Sequence, residues 1–430
     1  MSRISHDICD ALKLTHHRND LAQNPHRSKP RLAIAGGSGF LGHLLAAHFS
    51  DKGWDVVILT RNPVHRYSHA REAQWDGKTM GPWSREVDGA RAVINLAGRS
   101  VNCRYHARNR RAMMDSRTDS TRVLGEAIAA CANPPQTWLN ASTATIYRHT
   151  FGPPWDERGE IGATAEAKDA FSIEVATAWE HAFEAVETPQ TRKVALRTAM
   201  VFGLDAAHNN VFRVLRRLAR WGLGGRMGHG RQFVFWIHES DFCRAIEWIL
   251  DHEEIKGFIN VAAPNPLPNT EMMRLFREIC GVPFGLPAAA WMLELGAFFL
   301  RTETELIIKS RRVIPGKLLA GGFEFQFPEM KSAVRDLENR LAGHGQKNRR
   351  PEGFRGNRHL AALLTRSQSS AAMLPRRVRT IKSLPALRVA LSSNLFLENR
   401  TATEFSGRLL IGTFCRTERA DVPTIHLPQS

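Results

Sequence analysis

Ala35-Gly36-Gly37-Ser38-Gly39-Phe40-Leu41-Gly42 follows directly on the apolar run Leu32-Ala33-Ile34, and this stretch decides the fold. A short strand runs into a glycine-rich turn, and a helix begins inside the turn. Glycines at 36, 39 and 42 give a G-x-x-G-x-x-G spacing, a variant of the dinucleotide-binding fingerprint. One glycine makes the tight turn, one lets the backbone approach a pyrophosphate, and one lets the helix pack closely on the strand. The pyrophosphate would sit on the free N–H groups and the positive end of the helix starting near Phe40. Gly36, Ser38, Gly39, Phe40, Leu41 and Gly42 are therefore candidate cofactor-binding residues.

The next strand, Asp55-Val56-Val57-Ile58-Leu59, ends in Thr60 and Arg61. A site preferring NAD(H) usually carries Asp or Glu here, to accept from the ribose hydroxyls. A guanidinium suits a 2′-phosphate instead, with a planar fork of donors and a fixed charge. Thr60 and Arg61 therefore favour NADP(H) over NAD(H).

From Arg31 onward the pattern alternates strand and helix, the signature of an α/β doubly wound parallel sheet. Strands are expected at 31–35, 55–59, 91–96, 136–141 and 193–198. Helices are expected at 40–52, 107–132, 168–187, 240–251, 269–280, 288–300 and 329–341, with an amphipathic segment at 213–220. Segments 203–235 and 258–268 break the alternation with glycine and proline, and read as pieces of a smaller second domain. The expected organisation is a flexible leader over 1–30, a nucleotide-binding domain over 31–202 and, over 203–341, a mainly substrate-binding domain that includes the small C-terminal domain and can interleave with sheet elements. A low-order basic tail over 342–430 would follow.

The formal charge of +17 on 430 residues is concentrated in that tail: from Leu341 onward fifteen Lys and Arg face five acids. The rest is only mildly basic, and the tail's aromatic residues are too sparse to stack bases, so nucleic acid is not an expected partner. Six scattered cysteines (9, 103, 131, 243, 280, 415) form no C-x-x-C or zinc spacing. A reducing, cytoplasmic setting is expected. No signal-peptide stretch is present in the sequence, and the apolar run Leu286–Leu300 carries Glu294 and is too short to span a bilayer. No metal role is expected, since no ligand set has metal spacing.

Two further strand ends would face the ligand crevice. One is Asn95-Leu96-Ala97-Gly98, where Asn95 offers a donor and an acceptor and Gly98 lets the backbone approach a cofactor. The other is Ser142-Thr143-Ala144-Thr145-Ile146-Tyr147. Ser142 and Thr143 could polarise a carbonyl, and Tyr147 could move a proton. On the far side, Gln232, Trp236 and His238 would line the crevice, and Arg197 and Arg231 could grip an anionic substrate group.

These motifs occur in order with Trp75-Asp76-Gly77, Asp115-Ser116-Arg117, Ala178-Trp179-Glu180, Gly230-Arg231-Gln232, Trp236-Ile237-His238 and Ala263-Pro264-Asn265-Pro266. As a set they resemble the atypical extended short-chain dehydrogenase/reductases described as epimerase-family or YfcH-like proteins. Ser310-Arg311-Arg312-Val313-Ile314-Pro315-Gly316-Lys317-Leu318-Leu319 resembles that group's small C-terminal domain of unknown function. The resemblance covers roughly residues 31–337. It implies a Rossmann fold, NAD(P) binding and a small-molecule substrate, and names no substrate. Members with established activity carry Tyr-x-x-x-Lys on the helix after the Ser/Thr strand. Here Phe171 and Val175 hold that spacing. Two functions stay open: an NADP(H)-dependent oxidoreductase or epimerase using Thr143 and Tyr147, or a non-catalytic NADP(H)-binding sensor or scaffold.

Overall fold

The computed structural model describes residues 29–64, 69–101, 103–204, 210–288 and 309–347. Seven strands form one sheet: β1 (Arg31–Ala35), β2 (Asp55–Thr60), β3 (Arg71–Gln74), β4 (Ala92–Asn95), β5 (Thr137–Thr143), β6 (Arg192–Thr198) and β10 (Gly257–Val261). Their order is β10-β6-β5-β4-β1-β2-β3, and every pairing is parallel. Helices α1 (Phe40–Asp51), α2 (Ala107–Ala129), α3 (Ala170–Glu184) and α5 (Glu239–Asp251) make the crossovers. The chain is an α/β protein with a Rossmann-like sheet.

Alternation along the central strands explains the two layers. Leu32, Ile34, Val56 and Ile58 point to one face, against Leu45 and Phe49 of α1 and Ile246 of α5. Ala33, Ala35, Val57 and Leu59 point to the other, against Val123 and Leu124 of α2 and Phe183 of α3. Strands buried on both faces read as continuous apolar runs, which is why they were legible.

A third apolar cluster lies beyond the sheet. It joins β7 (Met200–Phe202), α4 (Val211–Arg220), β8 (Phe233–Val234) and β9 (Trp236–His238) to α6 (Asn269–Cys280) and α8 (Met330–Lys347). α4 turns Phe212, Leu215 and Ala219 inward, and Arg216 pairs with Glu338 of α8. β11 (Leu267–Pro268) pairs with β8, and the short α7 (Gly316–Ala320) precedes α8.

Two expectations change. The start of the 258–268 segment belongs to the main sheet, with residues 257–261 as its outer strand β10, paired in register with Val194–Thr198. β3 was not expected at all: its sequence Arg-Glu-Ala-Gln is short and polar, as suits an exposed sheet edge. The leader to Ser28, the tail from Asn348 and nearly all of the expected 288–300 helix lie outside the described residues.

Candidate functional site

Between β1 and β4 the sheet order reverses, so the loops leaving these strands part and open a crevice at their C-terminal ends. Gly36 has φ +70°, and a Cβ there would lie 2.6 Å from the Cα of Ala97. A Cβ on Gly42 would drive into the carbonyl of Gly37. Gly39 differs, since the nearest atom to its missing Cβ is 4.0 Å away. Two glycines thus close the turn, and the third leaves space beside the helix start. α1 begins after Gly39 with no side-chain cap and no acid in its first turn. Its leading amides are suited to an anionic ligand. Phe40 and Leu41 pack on the core beneath, and Ser38 is half-buried.

At the end of β2, Thr60 is buried and Arg61 is exposed. Arg61 makes no ion pair among the described residues, and shares a cavity of about 790 Å³ with Gln74, Trp75 and Asp76. Another cavity, of about 820 Å³, opens among Gln136, Thr137, Thr191 and Lys193 at the opposite, starting edge of the strands. Ligands of this fold bind at the ending edge, so it is not part of the site.

Asn95 is fully buried, and its side chain is committed to the protein. Its amide nitrogen donates to Asn140 Oδ1 (2.7 Å) and Thr121 Oγ1 (3.1 Å), and its oxygen accepts from the Ala97 N–H (3.0 Å). Through these bonds the amide, expected at the cofactor, shapes the loop Leu96-Ala97-Gly98, which borders the crevice. Gly98 lies against Arg117, whose Cζ would be 3.3 Å from an added Cβ.

The expected catalytic residues separate. Ser142 donates to Glu180 Oε1 (2.6 Å), and Arg197 grips the same carboxylate through Nε and Nη2, each at 2.8 Å. Arg197 Nη1 donates to the Tyr147 hydroxyl (2.9 Å), which donates to Asn260 Oδ1 (2.8 Å). Tyr147 and Arg197 are each 2 % exposed. Burial pushes the phenol's pKa up, despite the pull of Arg197. The structure thus ties three expected site residues, Tyr147, Ser142 and Arg197, into one buried hydrogen-bond network. Thr143 stands outside this network. It is half-buried at the end of β5, and its Oγ1 accepts from the Thr145 N–H (3.1 Å).

Three of the expected substrate contacts are also internal. Gln232 donates to Met227 O (2.8 Å), and Trp236 to Asn265 O (3.1 Å), both from buried positions. His238 accepts from Ser240 N–H (3.1 Å), capping α5, with Nε2 3.3 Å from Asp336. Burial outweighs that carboxylate and draws its pKa down to about 4. All three side chains are thus held by internal partners. Arg231 is exposed, with its guanidinium 5.8 Å from the ring of Phe151.

Phe171 and Val175 sit in a small apolar cluster with Met113, bordered by Cys103 and Tyr105. The rings of Phe171 and Tyr105 meet edge-on at 5.1 Å, and Arg110 lies over Phe171 at 4.6 Å. Neither Phe171 nor Val175 can give or take a proton.

Two features escaped the sequence. Arg117 was visible only as part of the Asp115-Ser116-Arg117 motif. The other is a clasp from the C-terminal segment. Buried Lys309 pairs with Asp169 (2.5 Å) and donates to Thr145 O (2.6 Å). Ser310 donates to Thr150 O (2.6 Å), and Arg311 Nε to Thr145 Oγ1 (3.2 Å). The loop after β5 is thus pinned by residues 160 or more positions away in sequence.

Among the described residues, no group of three His, Cys, Asp or Glu could hold a metal. No helix there is long and apolar enough to cross a membrane. The four described cysteines are unpaired.

Residues 32–262 match the model of the NAD dependent epimerase/dehydratase family, and 288–337 match a domain of unknown function, DUF1731. The chain is 28 % identical to epimerase family protein SDR39U1 of Bos taurus over 71 % of its length and 99 % of the relative. It is 30 % identical to epimerase family protein ML0860 of Mycobacterium leprae, over 71 % and 95 %. It is also similar to the crystal structure of human SDR39U1 with NADPH. That match has 25 % identity and a TM-score of 0.63, covering 72 % of this chain and 99 % of that one.

Proposed function

Because the chain belongs to the NAD dependent epimerase/dehydratase family, we propose that it binds NADP(H) in the crevice between the glycine turn and the Leu96–Gly98 loop. There it acts as an oxidoreductase or epimerase on a small anionic substrate. The observation that carries this is the space beside Gly39 at the uncapped start of α1. The structure of a human relative with NADPH supports it. The amides of Gly39, Phe40 and Leu41 would hold the pyrophosphate, and Arg61 the 2′-phosphate, since no acid at the end of β2 selects a free ribose. When bound, the nicotinamide supplies a hydride donor or acceptor.

Of the chain's own groups, Thr143 is placed to orient a carbonyl through its hydroxyl. The pair Phe171 and Val175 excludes water and moves no proton. That apolar pair favours a second reading, a cofactor-binding sensor or scaffold without turnover. The unpaired cysteines support a reducing compartment such as the cytoplasm. The test is titration of the full chain with NADPH, followed by turnover assays on carbonyl and nucleotide-sugar substrates. Saturable binding with turnover supports the enzyme. Binding without turnover across the panel supports the sensor, and absence of binding refutes both.

A further inference from the structure

The crevice holds one cation with an unusual set of neighbours. Arg117, on α2, is half-buried, and no carboxylate pairs with it among the described residues. Its Nη1 donates to the carbonyls of Met113 (3.0 Å) and Arg99 (3.2 Å). The Nε–H and the Nη2 amino group have no partner among the described residues. The guanidinium lies 5.1 Å from the ring centre of Trp179. The indole N–H of Trp179 is tied to Thr121 Oγ1 (3.0 Å), which also accepts from Asn95. The cation therefore rests on a fixed aromatic platform beside Gly98, where no side chain stands between it and the loop.

We propose that Arg117 is the anion-binding residue of the substrate site, holding a carboxylate or phosphate of the substrate against the Gly98 loop. This rests on the cofactor reading above and gives that site its substrate chemistry. A desolvated cation is costly without a counter-charge. Two carbonyls supply only partial charge, and the open Nε–Nη2 edge of a planar fork matches a carboxylate or phosphate. Burial draws the guanidinium's pKa down to about 10, which leaves it charged at neutral pH and short of an anion. Arg61 is given above to the 2′-phosphate, Arg99 donates to Asn109 Oδ1 (3.0 Å), and three further arginines near the crevice also differ. Arg197 is saturated by Glu180. Arg110 donates to Tyr105 O from an exposed position, and Arg231 is exposed.

The test uses the full chain saturated with NADP⁺ and the probes oxalate and inorganic phosphate, followed by calorimetry. Saturable one-to-one binding is expected for the wild type. Arg117→Gln, which can keep a bond to the same carbonyls, should weaken it about tenfold or more, and Arg117→Lys less. NADPH affinity should stay within about twofold in Arg117→Gln, since the residue serves the substrate. Absence of anion binding to the wild type, or equal binding by Arg117→Gln, overturns the proposal. So does a tenfold loss of NADPH affinity, which would assign the guanidinium to the cofactor. If Arg117→Gln does not fold, phenylglyoxal modification of the wild type decides: oxalate, and not chloride, should protect Arg117 by mass spectrometry. Unprotected modification overturns the proposal. Failure of NADPH to bind the wild type would instead refute the cofactor reading itself.

Discussion

Tyr147→Phe separates a structural tyrosine from a catalytic one. The substitution keeps the ring and removes one hydroxyl. That hydroxyl accepts from Arg197 (2.9 Å) and donates to Asn260 (2.8 Å), with the side chain 2 % exposed. Its loss leaves one guanidinium N–H and one amide oxygen unsatisfied in the interior. Each such group costs about 1–3 kcal/mol. Arg197 keeps both bonds to Glu180, and Asn260 keeps its bond to Ile314 O, so neither side chain is released. The expected loss is about 2–4 kcal/mol, or on the order of 5–10 °C in melting temperature. Urea unfolding should show a lower midpoint with an unchanged slope. NADPH affinity and any turnover per folded molecule should be unchanged. An unchanged urea midpoint together with abolished turnover would refute this account and return Tyr147 to the role of acid.

The remaining predictions concern the cofactor and pH. Gly39→Val should fill the space beside the start of α1 and abolish NADPH binding by fluorescence titration, while the melting temperature stays close to wild type; unchanged affinity would contradict the pyrophosphate assignment. Arg61→Ala should weaken NADPH about tenfold or more and leave NADH nearly unchanged, the loss of one charge-assisted contact; equal weakening of both would show that Arg61 only supports its loop. His238 has a folded pKa of about 4 against 6.5 unfolded. The unfolded chain therefore binds more protons between these values, and stability falls as pH drops through that window. From pH 7 to pH 5 the loss should be about 2 kcal/mol. His238→Asn, which can still cap α5, should flatten that slope in urea titrations, and an unaltered slope would rule out His238 as its source.

The elements legible in sequence are those whose burial is complete. β1, β2 and β4 are largely apolar runs, β5 and β6 each keep four consecutive buried residues, and the bounds of all five fall within about two residues of expectation. β3 and β10 sit at sheet edges, with polar or glycine-flanked sequences that match loops as well as strands. The glycine turn was readable because backbone geometry demands a residue type at each place. The polar residues were not, because residue type does not say what a side chain faces. Ser142, Tyr147 and Arg197 look like site groups in a linear sequence, yet Glu180 and Asn260 turn them into an internal network. His238 and Gln232 follow the same pattern, capping a helix and holding a loop. Conversely, Arg117 looks like an ordinary helical arginine until it is seen in space that no carboxylate among the described residues pairs with it.

The central claim is a nicotinamide site that reads the 2′-phosphate. It is tested most directly by titrating the wild-type chain with NADPH and NADH in parallel. One-to-one binding of NADPH at least about tenfold tighter than NADH is predicted, the worth of the Arg61 contact. Equal affinity for the two would contradict the role given to Arg61. Failure of both to bind would contradict the site at Gly39 itself.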